Sequence, residues 1–148
     1  MTGTDTTRER IVTAARGWLG TPYHHQASLR GVGCDCLGLV RGIWRDLYRD
    51  EPEPTPPYSP YWTQQGAGET LALAAQRHLR PLDIEAAQPG DVLLFRWRQH
   101  LPAAHCAILT ESDRILHAHD GATVSEVAFT GWWRRHLSHA FAFPELDP

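Results

Sequence analysis

The sequence predicts an α+β fold in which N-terminal helices pack against a C-terminal antiparallel sheet. Two features of the 148 residues support this prediction. Apolar residues recur at helical spacing in the first half, and beyond residue 90 they form short strand-like runs separated by turn residues. Helices followed by strands, without alternation, are typical of α+β proteins. The length and the 42% hydrophobic content fit one domain, residues 1–148.

The chain begins with two predicted helices. The first starts at a capping box of Thr6 and Glu9, in which each side chain satisfies a free backbone N–H, and it ends at Gly20. The second covers Cys36–Tyr48, with apolar residues on one stripe and Asp35 at the N-cap position. The N-cap places the start of this helix at Cys36.

Loops, a third helix and five strands account for the rest of the chain. Residues 24–33 have the composition of a loop, and residues 69–80 that of a helix rich in alanine and leucine. The five prolines in residues 51–60 predict a surface loop rather than a domain linker. The predicted strands are residues 91–97, 105–110, 114–118, 123–129 and 138–143.

Composition excludes several functional classes. The net charge of −3 argues against a nucleic-acid partner, because phosphate binding needs a basic surface. No segment approaches the roughly 18 apolar residues of a membrane span. Residues 1–10 lack the apolar core of a signal peptide, so we expect synthesis in the cytoplasm without export by the usual route. The three cysteines are an odd number and are expected to be reduced thiols.

Cys36 is the strongest candidate for a reactive residue. It stands in the first turn of a predicted helix, where free N–H groups and the helix dipole favour an anion. Such a position can lower a thiol pKa from about 8.5 to about 3.5–7.5, and the same N–H groups could hold an oxyanion. The alternative is that Cys36 is a small buried hydrophobe on the helix stripe.

A thiolate nucleophile needs a base, and two strand histidines are candidates. His105 and His117 lie on predicted strands joined by a short turn. If Thr110 opposes Arg114, the turn has three residues. His117 then opposes Ala107 and shares a face with His105, as a diagonal neighbour about 7–8 Å away. A two-residue turn would put the histidines on opposite faces and exclude a pair.

His119 competes with His117 for the role of orienting His105. A strand that continued for two more residues would keep His119 on the same face. The Asp120-Gly121 pair indicates a turn, which favours His117. Each histidine could instead be a structural residue with satisfied hydrogen bonds.

The sequence contains zinc-ligand residue types, but their spacing does not predict a zinc site. Cys34, Cys36, Cys106, His24 and His25 offer suitable ligand types. The C-x-C spacing is not that of a zinc knuckle, and the sequence has no second cysteine pair. We therefore expect neither a metal nor a cofactor.

The WWRR segment at residues 132–135 combines aromatic and basic side chains. Saccharide-binding and partner-binding surfaces often have this character. Core packing with a solvated charged edge is the favoured interpretation.

Five segments follow one another along the chain: LGTPY at residues 19–23, GCDCLGLV at 33–40, PGDV at 89–92, AHCAIL at 104–109 and RILHA at 114–118. In this order they resemble the NlpC-type family of papain-like cell-wall peptidases. That family carries an aspartate-cysteine pair followed by a small residue and a glycine at the start of a core helix. A base-bearing strand and a strand with a third, orienting histidine follow.

The resemblance implies a papain-like fold and a role for each matched residue. Cys36 would be the nucleophile, His105 the base and His117 the orienting histidine. Tyr23 would contact the oxyanion or the substrate, and Asp35 would shape a pocket for a free stem amino terminus. The implied substrate is the peptide stem of peptidoglycan, cut between D-glutamate and a diamino acid. Leu37 stands where many members have serine, which affects stem specificity.

The CDCL variant at residues 34–37 is most similar to members encoded with phage tails and gene transfer agents. This similarity implies that the protein is part of a phage-like particle and acts at the cell wall, with tail or baseplate proteins as partners. Candidate docking surfaces are the proline loop and the region of Trp132 and Trp133. The alternatives are an inactive structural adaptor, a cell-wall amidase and a transpeptidase.

Overall fold

The predicted α+β architecture is confirmed. A computed structural model describes residues 3–51 and 69–146, with side chains from residue 7 onward. The predicted proline loop, residues 51–60, lies outside the described residues except for Glu51. The helices are α1 (Gly3–Arg16), α2 (Cys36–Tyr48), α3 (Thr70–His78) and α4 (Gly131–His136). No helix in this part of the chain has the length and apolar character needed to cross a membrane.

A six-stranded antiparallel sheet forms the second half of the fold, in the order β3-β8-β4-β5-β6-β7. A two-stranded antiparallel hairpin, β1-β2, precedes α2. The strands are β1 (Ser28–Leu29), β2 (Gly33–Cys34), β3 (Arg80–Leu82), β4 (Val92–Phe95), β5 (His105–Glu111), β6 (Arg114–His117), β7 (Ser125–Ala128) and β8 (Leu137–Ala142).

Predicted boundaries are wrong at several elements, including the first and third helices and the strands at residues 91–97 and 123–129. The first helix begins at Gly3 rather than at the Thr6 capping box. The third predicted helix, residues 69–80, ends at His78 because the chain turns into β3 at Arg80. Pro81 lies within β3 and is tolerated there because β3 is an edge strand, where one side of the backbone needs no ladder hydrogen bond.

Besides β3, a hairpin and a short helix do not appear in the predicted secondary structure. The predicted loop at residues 24–33 contains the β1-β2 hairpin, whose strands are too short to show a period. The six-residue helix α4 carries the two tryptophans of the WWRR segment and leads directly into β8. Both elements contribute to the candidate site.

The sheet is buried on both faces, which explains why β4 is continuously apolar. Alternate residues of the central strands pack against α1, α2 and α3, and the intervening residues pack under α4. The first face includes Leu94, Ile108 and Leu116. The second includes Phe95 and Ile115.

Close contact between α1 and α2 fixes the position of α2. A side chain at Gly42 would bring its Cβ within 2.0 Å of the Trp18 ring, so only glycine lets the indole lie against the helix. Trp18 is buried, and its Nε1 donates a hydrogen bond to Asp46 at 3.0 Å. This packing holds the first turn of α2, with Cys36, against β5.

Candidate active site

Asp35 caps α2 as predicted and fixes the turn before it. Its Oδ1 accepts a hydrogen bond from the Gly38 N–H at 2.7 Å, and its Oδ2 accepts one from the Gln26 N–H at 2.8 Å. The side chain of His25 also approaches Oδ2, at 3.7 Å. Asp35 is 2% exposed. Gln26 has a φ of 63°, a left-handed conformation that is uncommon for a non-glycine residue, and the bond to Asp35 helps to hold it.

The glycine of the motif has a steric role. A Cβ at Gly38 would lie 1.9 Å from the carbonyl oxygen of Ala27. The Ser28 hydroxyl donates to the Gly38 carbonyl at 2.6 Å. The strained loop and the first turn of α2 are therefore packed into one unit around Cys36.

Cys36 is partly exposed at the start of α2. A hydrogen bond from the Cys106 thiol holds the pKa of Cys36 well below its usual range, and a hydrogen bond and the charge of His105 lower it further. Burial and the negative charge of Asp35 oppose these effects. The Cys36 carbonyl oxygen, 3.2 Å from Cys106 Sγ, is a second acceptor for the same S–H, and the pKa of Cys106 is raised well above its usual value, so Cys106 stays a thiol. The arrangement favours a thiolate at Cys36.

Cys34 behaves differently from its neighbour two residues away. It is fully buried in β2, and burial raises its pKa to about 12. It is therefore an inert packing thiol.

The two strand histidines meet, although the turn between them is shorter than the pairing argument required. His105 Nε2 lies 2.8 Å from His117 Nδ1. Glu111 pairs with Arg114, so the turn has two residues, and the register then shifts between Leu109 and Glu111. This β-bulge adds one residue to β5 and restores the pairing in which both histidines share a face.

His117 is held neutral in this pair. Burial lowers the pKa of His117 to about 3, and the charges of His105 and His119 add to this effect. Both paired histidines are buried, at 5% exposure for His105 and 4% for His117. A neutral His117 can accept a hydrogen bond at Nδ1 from the N–H group at His105 Nε2. The Nδ1 atom of His105 is then the one left for Cys36.

The sequence matches the NlpC/P60 family over residues 20–141. The chain belongs to the NlpC/P60 family. Its helices and antiparallel sheet form the papain-like fold that the motif resemblance implied. A comparison with curated proteins found no match.

Solved NlpC/P60 structures share the fold at low sequence identity. The NlpC/p60 domain of the peptidoglycan hydrolase SagA is 19% identical with a TM-score of 0.61, over 92% of this chain and 98% of that domain. NlpC2 from Trichomonas vaginalis is 18% identical with a TM-score of 0.68, over 93% of this chain and 46% of that one. A lipoprotein-like NLP/P60 protein from Staphylococcus aureus is 21% identical with a TM-score of 0.63, over 97% and 43%. This NlpC/P60 chain thus spans less than half of the last two proteins.

Tyr23 lies close enough to Cys36 for the charge of that thiol to act on its phenol. Burial raises the pKa of its phenol well above the usual value, and the charges of Cys36, Asp35 and Asp120 raise it further. Tyr23 also joins two parts of the fold, because its N–H donates to Ala122 at 3.0 Å and its backbone forms a bridge with β2. The phenol therefore remains protonated and is a potential O–H donor.

An aromatic wall, formed by Trp97, Trp132 and Trp133, flanks the paired histidines and was not predicted as part of the site. The Trp133 ring centroid lies 5.9 Å from that of His105 and 5.2 Å from that of His117. The Trp97 ring stacks near His105 at 5.5 Å. Trp132 packs edge-on against Trp133 and is 45% exposed. Trp133 packs both on the second core face, where its ring centroid lies 4.9 Å from that of Phe95, and on the histidine pair, and Trp132 forms the exposed edge of the wall.

The possible metal ligands that come together in the described parts of the chain are not the cysteines and histidines considered as a zinc site in the sequence. Nitrogens of His105, His117 and His119 lie within 4.8 Å of one another. The set of three cysteines with His24 and His25 does not form such a group within residues 3–51 and 69–146. His119 thus lies beside the pair, with its ring centroid 5.5 Å from that of His117.

Proposed function

We propose that the chain hydrolyses the peptide stem of bacterial peptidoglycan, with Cys36 as nucleophile, His105 as general base and His117 as the orienting residue. One observation carries this proposal: His105 interacts both with Cys36, whose pKa is lowered, and with His117, which is buried and neutral. The likeness in fold to a domain of a peptidoglycan hydrolase supports the substrate class.

The first half of the reaction forms an acyl-enzyme. The Cys36 thiolate attacks the scissile carbonyl carbon, and the electron pair of the carbonyl moves to its oxygen. The N–H groups of Cys36 and Leu37 have no intrahelical acceptor at the start of a helix, so they are available to this oxyanion. The Tyr23 O–H is a further potential donor. His105, as imidazolium, then protonates the leaving amine as the C–N bond breaks.

The second half restores the enzyme. Neutral His105 removes a proton from a water molecule, which attacks the thioester carbon and expels the Cys36 thiolate. His117 holds the His105 ring through Nε2 in both halves, so that Nδ1 keeps facing the sulfur. The final state is again a thiolate with an imidazolium.

For the bond cut, we propose the one between D-glutamate and the diamino acid of the stem. The motif resemblance supports this choice, and so does the charge near the nucleophile. The buried Asp35 carboxylate is close enough to raise the pKa of both Tyr23 and Cys36. Its negative charge would favour a cationic stem amino terminus, although both of its oxygens already accept backbone N–H groups.

Digestion of defined muropeptides tests the proposed hydrolysis of the stem and the proposed cleavage site. Mass spectrometry should find the stem split after D-glutamate, whereas an amidase would release the whole stem from the sugar. Cys36→Ala should abolish product formation, and the matched variant Cys34→Ala should retain it because Cys34 lies buried outside the reaction. Hydrolysis that persists in Cys36→Ala would rule out the mechanism, and an inert wild-type protein would favour the adaptor.

We also propose that the protein acts within a phage-like particle that crosses the cell wall. The CDCL variant of the nucleophile motif supports this role, and the exposed Trp132 offers a surface for a tail or baseplate protein. The proline loop, the other candidate surface, falls in residues that the structure does not describe. The proposal predicts that the protein co-purifies with particles and that Trp132→Ala weakens this association. Particles that lack the protein would refute it.

A further inference from the structure

A histidine cluster forms where β5 and β6 meet, and the acyl-transfer reaction uses only two of its three members. His105 and His117 are the paired residues, and His119 follows two residues after the end of β6. One ring nitrogen of each lies within 4.8 Å of the others. The His119 ring centroid is 6.0 Å from that of His105 and 5.5 Å from that of His117.

The spacing of these nitrogens is close to that of a tetrahedral metal site. Zn–N bonds of about 2.0–2.1 Å place two ligand nitrogens about 3.3 Å apart. The 2.8 Å separation between His105 and His117 must therefore open slightly, and His119 must move inward. His119 is exposed at the end of a strand, so a side-chain rotation can supply that movement.

The rings also offer the lone pairs that a metal needs. A hydrogen bond between two imidazole nitrogens requires that one of them is unprotonated, so His105 and His117 cannot both be cations in the pair. The acidic Asp120 follows His119 directly and adds negative charge near the cluster. Three imidazoles are a donor set that suits zinc, and His₃ sites keep a fourth position for water.

We propose that His105, His117 and His119 form a reversible Zn²⁺ site whose occupancy switches off the peptidase. Zinc on His105 Nε2 and His117 Nδ1 replaces the hydrogen bond between them. With its Nε2 lone pair on the metal, the His105 ring cannot form the imidazolium needed to protonate the leaving amine. The inhibitory half of this proposal rests on the proposed peptidase function, and the binding half does not.

Calorimetric titration of the full chain with ZnCl₂, after removal of metal with EDTA, tests the binding half. The wild-type protein should bind one Zn²⁺, and His119→Ala should bind it about 10–100-fold more weakly or worse. Cys36→Ala should retain the affinity, because the thiol is not a ligand. The control His78→Ala, on α3, should also retain it. Substituting Co²⁺ should give the visible absorption of a tetrahedral nitrogen site in the wild type and not in His119→Ala.

The outcomes separate this inference from the peptidase proposal. Equal zinc binding by His119→Ala and the wild type, or binding that disappears in Cys36→Ala, would overturn the three-histidine site whatever the activity. With stem peptide as substrate, zinc should lower wild-type turnover and have little effect on His119→Ala relative to its own metal-free rate. Binding at the three histidines without any inhibition would overturn the switch. Failure of the metal-free protein to cut any stem would instead refute the proposed function while leaving the binding result intact.

Discussion

His105 Nε2 lies 2.8 Å from His117 Nδ1, although the turn that joins their strands has only two residues. With a regular ladder, that turn would put the two side chains on opposite faces of the sheet. The bulge between Leu109 and Glu111 compensates for the short turn. Thr110, which the register skips, donates through its hydroxyl to Glu126 at 2.8 Å and so anchors the bulge to β7.

Replacing His117 with alanine should lower kcat on a stem peptide by about 10²–10⁴-fold, because His105 would lose the acceptor that fixes its tautomer and orientation. Steady-state kinetics on metal-free protein measures the effect. His119→Ala is the matched variant, since it removes a neighbouring imidazole outside the proposed triad. A larger loss in His119→Ala than in His117→Ala would transfer the orienting role to His119.

The buried His117 should also make the protein sensitive to acid. Its pKa in the folded state is about 3, against about 6.5 in an unfolded chain. Because the folded pKa is lowered, the contribution to stability is complete above about pH 6.5 and is lost as the pH falls toward about 3. Two pH units of this range correspond to about 2–3 kcal/mol of unfolding free energy.

Urea unfolding of metal-free wild type and His117→Asn, at about pH 6.5 and about pH 4.5, isolates that contribution. The asparagine side chain of the variant does not titrate between these two pH values. The free energy of unfolding of His117→Asn should therefore fall by about 2–3 kcal/mol less than that of the wild type over this interval. Carboxylates titrate in both proteins and cancel in the comparison. Equal losses in the two proteins would mean that His117 is not held neutral by the fold.

Local sequence signals identified the residues of the site because each signal acts over a few positions. Asp35 and the apolar stripe gave both ends of α2, since a cap and a helical period are contained in the segment itself. The partnership of His105 and His117 followed from strand alternation. The bulge that makes it possible depends on contacts of Thr110 with β7, which the turn sequence does not encode.

The aromatic wall could not be predicted because it is assembled from distant parts of the chain. Trp133 belongs to a six-residue helix without a side-chain cap. Its contact with His117 depends on the pairing of β7 with β6. Trp97 follows the end of β4 and contacts His105 across the β4-β5 pairing. Likewise, His119 was considered only as a substitute for His117, whereas the structure places all three rings together.

Cys36 should react selectively with iodoacetamide under native conditions. Its pKa is held well below the usual value of about 8.5, whereas the pKa values of Cys34 and Cys106 are raised and both are buried. Peptide mapping by mass spectrometry should find Cys36 modified at about pH 6, with the other two thiols unmodified. In urea, all three should react with a common midpoint near about 8.5. Preferred native labelling of Cys106 would contradict the lowered pKa of Cys36.

Asp35→Asn should change stability and thiol reactivity in distinct ways. The carboxylate accepts two backbone N–H groups, and an amide can accept only one of them, so the variant should lose about 1–3 kcal/mol of unfolding free energy. The charge of Asp35 raises the pKa of Cys36, so its removal should shift the midpoint of alkylation against pH downward. Urea unfolding and the pH profile of iodoacetamide labelling measure the two effects, and the exposed Asp113→Asn controls for the lost charge. An upward shift would mean that Asp35 acts on the thiol through the geometry of the helix start, which would remove the charge-based support for a cationic stem terminus.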